Sequence, residues 1–123
     1  MISESTVKVS VVNAIRKEGG YARRIEDKFT VGMPDLILIP LECPVVWVEV
    51  KLTRGSFFAP SPRQFIELVK LNRPPHSVSL VMAWKDGHLY VSTPKETVYL
   101  EDCFKQEKDE TVGSLIRRAL ANG

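Results

Sequence analysis

The feature that most constrains this chain is the run VVWVEVKL at residues 45–52. Six of its eight residues are apolar, and four of them are valine, a residue that suits a pleated strand. A half-exposed strand would alternate apolar with polar positions. A nearly continuous apolar run reads instead as a strand covered on both faces, in the interior of a sheet. The fold must therefore supply neighbours on both sides of this strand and layers above and below it. The two charges, Glu49 and Lys51, sit at its end. Burying charge is costly unless it is paired or serves a site.

The flanking segments supply those neighbours. DLILIP, from Asp35, is a second strand, and LECP between the two reads as a turn. Pairing them as a hairpin with Ile39 opposite Val45 puts Ile37 opposite Trp47 and Asp35 opposite Glu49. Opposed residues point to the same face, and Lys51, two residues beyond Glu49, shares it. This register gathers two carboxylates and an ammonium at one end of a strand pair. Adjacent carboxylates repel each other unless a cation or proton intervenes. A hard divalent ion takes such oxygens, commonly one or two carboxylates plus waters and phosphate oxygens. The Val50 backbone carbonyl could add a ligand, and Lys51 could offset developing negative charge. Taken alone, Pro-Asp is an ordinary turn and Glu-x-Lys an ordinary solvated ion pair; their setting in a buried strand is what favours a site.

The rest of the chain surrounds this pair with alternating elements. Residues 3–18 place Val7, Val11, Ala14 and Ile15 on one helical stripe, with Ser3 as N-cap and Gly19-Gly20 as stop. Glu4 falls in the first turn, where an acid complements the helix dipole. YARRIED is a short strand, and TRGSFFAPSP is a loop by its Gly and Pro content. SPRQFIELVKLN is a helix: Ser61 caps it, Pro62 suits its first position and Gln64 completes a capping box. Its expected apolar face is Phe65, Leu68, Val69 and Leu71. SVSLVMAW and HLYVS form a hairpin about KDG. TPKE has the form of another capping box, which predicts a short helix starting near Pro94, and TVGSLIRRALAN is a closing helix. The expectation is a single α/β domain over residues 1–123, with a mixed central sheet flanked by helices.

Other features narrow the function. A net charge of +2 in 123 residues gives no bulk argument for nucleic acid. The basic residues Arg23, Arg24, Lys28, Lys51, Arg54 and Arg63 nevertheless lie near the proposed site in sequence, and Lys28, Arg54 and Arg63 are read as phosphate contacts. Cys43 and Cys103 lack the spacing of a zinc site; two reduced thiols are favoured over a disulfide. His76 and His88 are isolated, and Trp47, Trp84, Phe57 and Phe58 read as core or loop anchors. No secretory apolar segment and no membrane-length run is present, so a soluble, cytoplasmic protein is expected.

GMPDLILIP, WVEVK and GSFFAPSPRQ together resemble the VRR-NUC branch of the PD-(D/E)xK nucleases, over roughly two thirds of the chain, from Glu4 to Trp84. The resemblance implies a restriction-endonuclease-like core and a Mg²⁺- or Mn²⁺-dependent endonuclease acting on DNA. Asp35, Glu49 and Lys51 match the family's acid, acid and lysine. Glu4 matches the acid supplied by the first helix, and Gln64 the glutamine that opens the helix after the core strands. Both also have the structural readings given above. Small stand-alone members of the family act as homodimers on branched DNA, so a four-way (Holliday) junction is the expected substrate. The alternatives are a catalytically silent DNA- or protein-binding module of the same fold, and a nuclease of unbranched duplex or flap DNA. The apolar C-terminal segment with Leu115, Ile116, Ala119 and Leu120 reads as core packing first and dimer surface second.

Overall fold

A computed structural model describes residues 2–26 and 29–123. The run 45–52 is the middle of the fold. It forms β3 (Val45–Leu52), with β1 (Tyr21–Arg24) and β2 (Leu36–Ile39) on one side. On the other side lie β5 (Ser77–Lys85), β6 (His88–Ser92) and β8 (Phe104–Lys105). The sheet order is β1-β2-β3-β5-β6-β8. Only β3 and β5 run parallel; the other neighbours are antiparallel. The parallel pair requires a crossover, and α2 (Pro62–Leu71) provides it.

Alternation along the strands sorts the two faces. Leu36, Leu38, Val46, Val48, Val50, Leu80 and Met82 are fully buried. They pack in one cluster with α1 (Glu4–Lys17) and α3 (Val112–Asn122). The intervening positions face α2: Val81 and Ala83 pack with Leu68 of α2 and with Phe58 and Val98. The strand is thus covered on both faces, as its composition requires. Glu49 belongs to the face that α2 covers and is only 2% exposed.

The hairpin register is the expected one. Ile37 opposes Trp47 and Leu36 opposes Val48, which sets Asp35, immediately before β2, level with Glu49. The β5–β6 turn is a two-residue Asp86-Gly87 loop with φ of 50° and 82°, the left-handed pair that Asp-Gly tolerates. Ser3 caps α1 and Thr111 caps α3. Leu115, Ile116 and Ala119 of α3 are buried in the core, so its apolar face packs on the sheet, the first of the two expected readings. Cys43 and Cys103 are both free thiols. Among the described residues no helix is long and apolar enough to cross a membrane.

Three local expectations fail. No helix starts near Pro94. Val98 and Tyr99 instead form β7, paired with β4 (Phe57–Phe58) inside the segment expected to be a loop. The TPKE pattern offers a cap but no helical apolar stripe behind it; Val98 is buried alone, against Phe58 and Leu68. On α2, Val69 is 53% exposed and only Leu68 is fully buried, because a helix lying over just β3 and β5 meets them along a narrow line. The strand β8, at the far edge of the sheet, was not expected from the sequence.

Candidate active site

The site is assembled from one loop, one strand and two helix starts. Asp35 is delivered by the segment Val31–Pro34. Gly32 there has φ +86°, and a Cβ on it would lie 2.6 Å from the Arg63 carbonyl oxygen. Only glycine permits that conformation and that approach, so the loop seats directly on the first turn of α2. Asp35 then uses both oxygens. Its Oδ2 accepts the Val50 amide at 2.8 Å, and its Oδ1 pairs with the Lys8 ammonium at 3.0 Å.

Glu49 is held from two sides. Its Oε2 accepts Gln64 Nε2 at 2.9 Å and lies 3.6 Å from Lys51 Nζ. Its Oε1 is buried and no donor reaches it. Burial, the charge of Asp35 and a hydrogen bond that the protonated acid can share with Asp35 push the Glu49 pKa up to about 8; Lys51 and Lys8 oppose the rise. An acid in this state is poised to exchange a proton for a metal ion.

Gln64 fills both of its expected roles. Its Oε1 accepts the Ser61 amide at 2.8 Å while Ser61 Oγ accepts the Gln64 amide at 3.1 Å, a complete capping box. The same side chain reaches Glu49 through Nε2. Glu4 lies at the opposite wall, where its Oε2 is 3.4 Å from the Leu52 amide. The structure therefore brings Asp35, Glu49, Lys51 and Gln64 together and sets Glu4 at the end of the same strand. Val50 contributes to the wall through the amide that fixes Asp35.

The expected phosphate contacts are placed unevenly. Arg63 is exposed in the first turn of α2, next to Gln64, and Arg54 is exposed just beyond β3. Lys28 lies outside the described residues. The sequence reading missed Lys8, whose spacing carried a signal: it stands four residues after Glu4, on the same face of α1.

The donors present fit a particular kind of metal site. Among the described residues no group of three or more His, Cys, Asp or Glu side chains is arranged around one point, so a closed structural site is not built here. Two adjacent carboxylates, one with an orphaned buried oxygen, match a hard divalent ion that keeps most of its waters. No protein-family model matches the chain, and no curated protein is significantly similar to it in sequence.

Proposed function

We propose that the chain is a divalent-metal-dependent DNA endonuclease with the restriction-endonuclease-like core of the VRR-NUC branch of the PD-(D/E)xK nucleases. One observation carries the reading: Glu49, buried at the end of a central strand and level with Asp35, keeps an unpartnered oxygen and a pKa of about 8. A chain gains nothing in stability from a buried acid so placed; a cation-binding function accounts for it.

Asp35 and Glu49 would hold the ion, with the Val50 carbonyl as a further oxygen and Glu4 as an outer acid. Bound there, Mg²⁺ or Mn²⁺ supplies an acidified water and charge neutralisation at a phosphate. The protein groups have separable tasks. Lys51, 3.6 Å from Glu49, places a positive charge where a phosphodiester gains negative charge during attack. Gln64 orients Glu49 by donating to its Oε2. Arg54 and Arg63, exposed beside it, contact backbone phosphates without reading sequence. Lys28 keeps the same role under this reading. A homodimer would bring two such sites to the two strands of a branched substrate, and the family reading makes a four-way junction that substrate.

The test is cleavage of a four-way junction against linear duplex of equal length with Mg²⁺ or Mn²⁺. Wild type cuts the junction; Asp35→Asn and Lys51→Ala, still folded by circular dichroism, do not. Equal cutting by all three proteins refutes the assignment. The Lys8–Asp35 ion pair favours one second reading, a silent binding module whose acid is permanently neutralised. Calorimetric titration separates them: the nuclease reading requires metal heat that Glu49→Gln abolishes.

A further inference from the structure

A second feature opens on the flank of the same site. Helix α1 and the edge strand β1 border a groove of about 680 Å³, lined by Arg16, Arg23, Arg24, Tyr21 and Asn13, with Glu26 as the one acid on its wall. Among the described residues none of the three guanidiniums is in an ion pair. Arg16 is anchored by Nε to the Ala22 carbonyl at 2.9 Å, and Arg24 Nη1 reaches Ser5 Oγ at 3.3 Å. These contacts use neutral acceptors, so Glu26 is the one acid on the groove wall against three positive charges. Arg16 also occupies the carbonyl that edge strand β1 would offer to another strand, which argues against strand addition here.

One end of the groove lies next to the segment that carries Asp35. Arg24 pairs opposite Leu36, and the next residue, Ile25, donates its amide to the Asp35 carbonyl at 2.8 Å. Ser5 follows Glu4. From that end the groove runs away along β1 for about 10 Å and along α1 for about 16 Å. Along a duplex axis the phosphates of one strand recur about every 3.4 Å, and in an extended strand they lie farther apart, so the length suits at most three to five of them.

We propose that this groove binds the sugar-phosphate backbone of one nucleic-acid strand and leads it to the Asp35–Glu49 site. The proposal rests on the nuclease reading and adds to it a docking track besides Arg54 and Arg63. Three guanidiniums without an ion pair, lining one groove, match a polyanion. Arg24 and Arg23 take the phosphates nearest the site, and Arg16 the farthest.

The experiment is fluorescence anisotropy of a labelled 30-nucleotide single strand, in two unrelated sequences, with EDTA present and salt varied from 50 to 200 mM. Arg23→Gln/Arg24→Gln leaves the Arg16–Ala22 bond intact; Arg16→Gln/Arg23→Gln/Arg24→Gln adds the third charge. The groove predicts about tenfold weaker binding by the triple variant at 100 mM salt, equally for both sequences. It also predicts a log–log salt slope lower by about 2, or about 0.7 for each lost phosphate contact. Metal heat at the Asp35–Glu49 site stays unchanged in the double variant. Wild-type affinity and slope in both variants overturn the groove while leaving the nuclease reading standing. A wild type that does not bind the strand at any salt overturns the groove, while cleavage of the four-way junction decides the nuclease reading separately. Unchanged strand binding with lost binding to phosphatidylserine vesicles also overturns the proposal and assigns the groove to an anionic membrane surface.

Discussion

Replacing Glu49 by glutamine tests the site without any substrate. The pKa of Glu49 rises from the ordinary 4.5 to about 8, chiefly by burial and then by the charge of Asp35. A folded-state pKa above the unfolded one means that the native protein holds the proton more tightly. Below pH 4.5 both states are protonated, and the acid imposes no penalty. Between pH 4.5 and 8 the unfolded chain ionises while the folded one resists, so stability falls by about 1.4 kcal/mol per pH unit. Above pH 8 the loss is complete, at a ceiling near 5 kcal/mol. Glutamine keeps the shape, can still accept from Gln64, and carries no charge. Glu49→Gln should therefore match wild type at pH 4 and exceed it by about 3–5 kcal/mol at pH 9. With a urea m-value of about 2 kcal/mol/M, the midpoint moves up by about 2 M. The assay is urea unfolding followed by tryptophan fluorescence, in EDTA, from pH 4 to 9. Equal midpoint differences at both ends of the range, or a wild type more stable at pH 9, would refute the reasoning.

Other perturbations probe the surroundings. Binding of Mn²⁺ at pH 7 should release close to one proton, since Glu49 is still largely protonated there; calorimetry in buffers of different ionisation enthalpy counts it. Lys8→Met should tighten Mn²⁺ binding several-fold, because the ammonium 3.0 Å from Asp35 Oδ1 competes for that oxygen; an unchanged Kd counts against competition. Gly32→Ala should cost about 1–3 kcal/mol, given its positive φ and the Arg63 carbonyl in the way of a Cβ, as read by thermal or urea unfolding. Ser61→Ala should cost about 1 kcal/mol by loss of the α2 cap, read by urea unfolding, and should leave metal binding unchanged, since the Ser61 amide that tethers Gln64 Oε1 remains.

The central architecture was legible because it follows from local pattern. The run 45–52 demanded burial on both faces, and the short LECP turn left one register in which the apolar faces agree, so Asp35 fell level with Glu49. Ser3, Ser61 and the Asp86-Gly87 turn act through neighbours in sequence, and they too were readable. The β4–β7 pair was hidden because Phe57–Phe58 and Val98–Tyr99 are two-residue strands forty positions apart, too short to show any period. Exposure of Val69 depends on how little of the sheet α2 covers, which no window of sequence contains. At the site, strand residues could be counted into place, whereas Lys8 required knowing how α1 crosses the sheet. The same crossing brings Arg16 and Arg24 to a common groove.

The capping box at the start of α2 restricts what residue 64 can be. As a cap alone, glutamate would serve as well as glutamine, since either offers an oxygen to the Ser61 amide. Toward Glu49 the two are opposites: an amide donates to its Oε2 at 2.9 Å, and a carboxylate would set a third negative charge against an acid already crowded by Asp35. The folding requirement admits two residues and the site admits one. Gln64→Glu is therefore a separating substitution: the helix should start as before, while the acid pair beneath it should bind its proton more tightly and its metal in a different way.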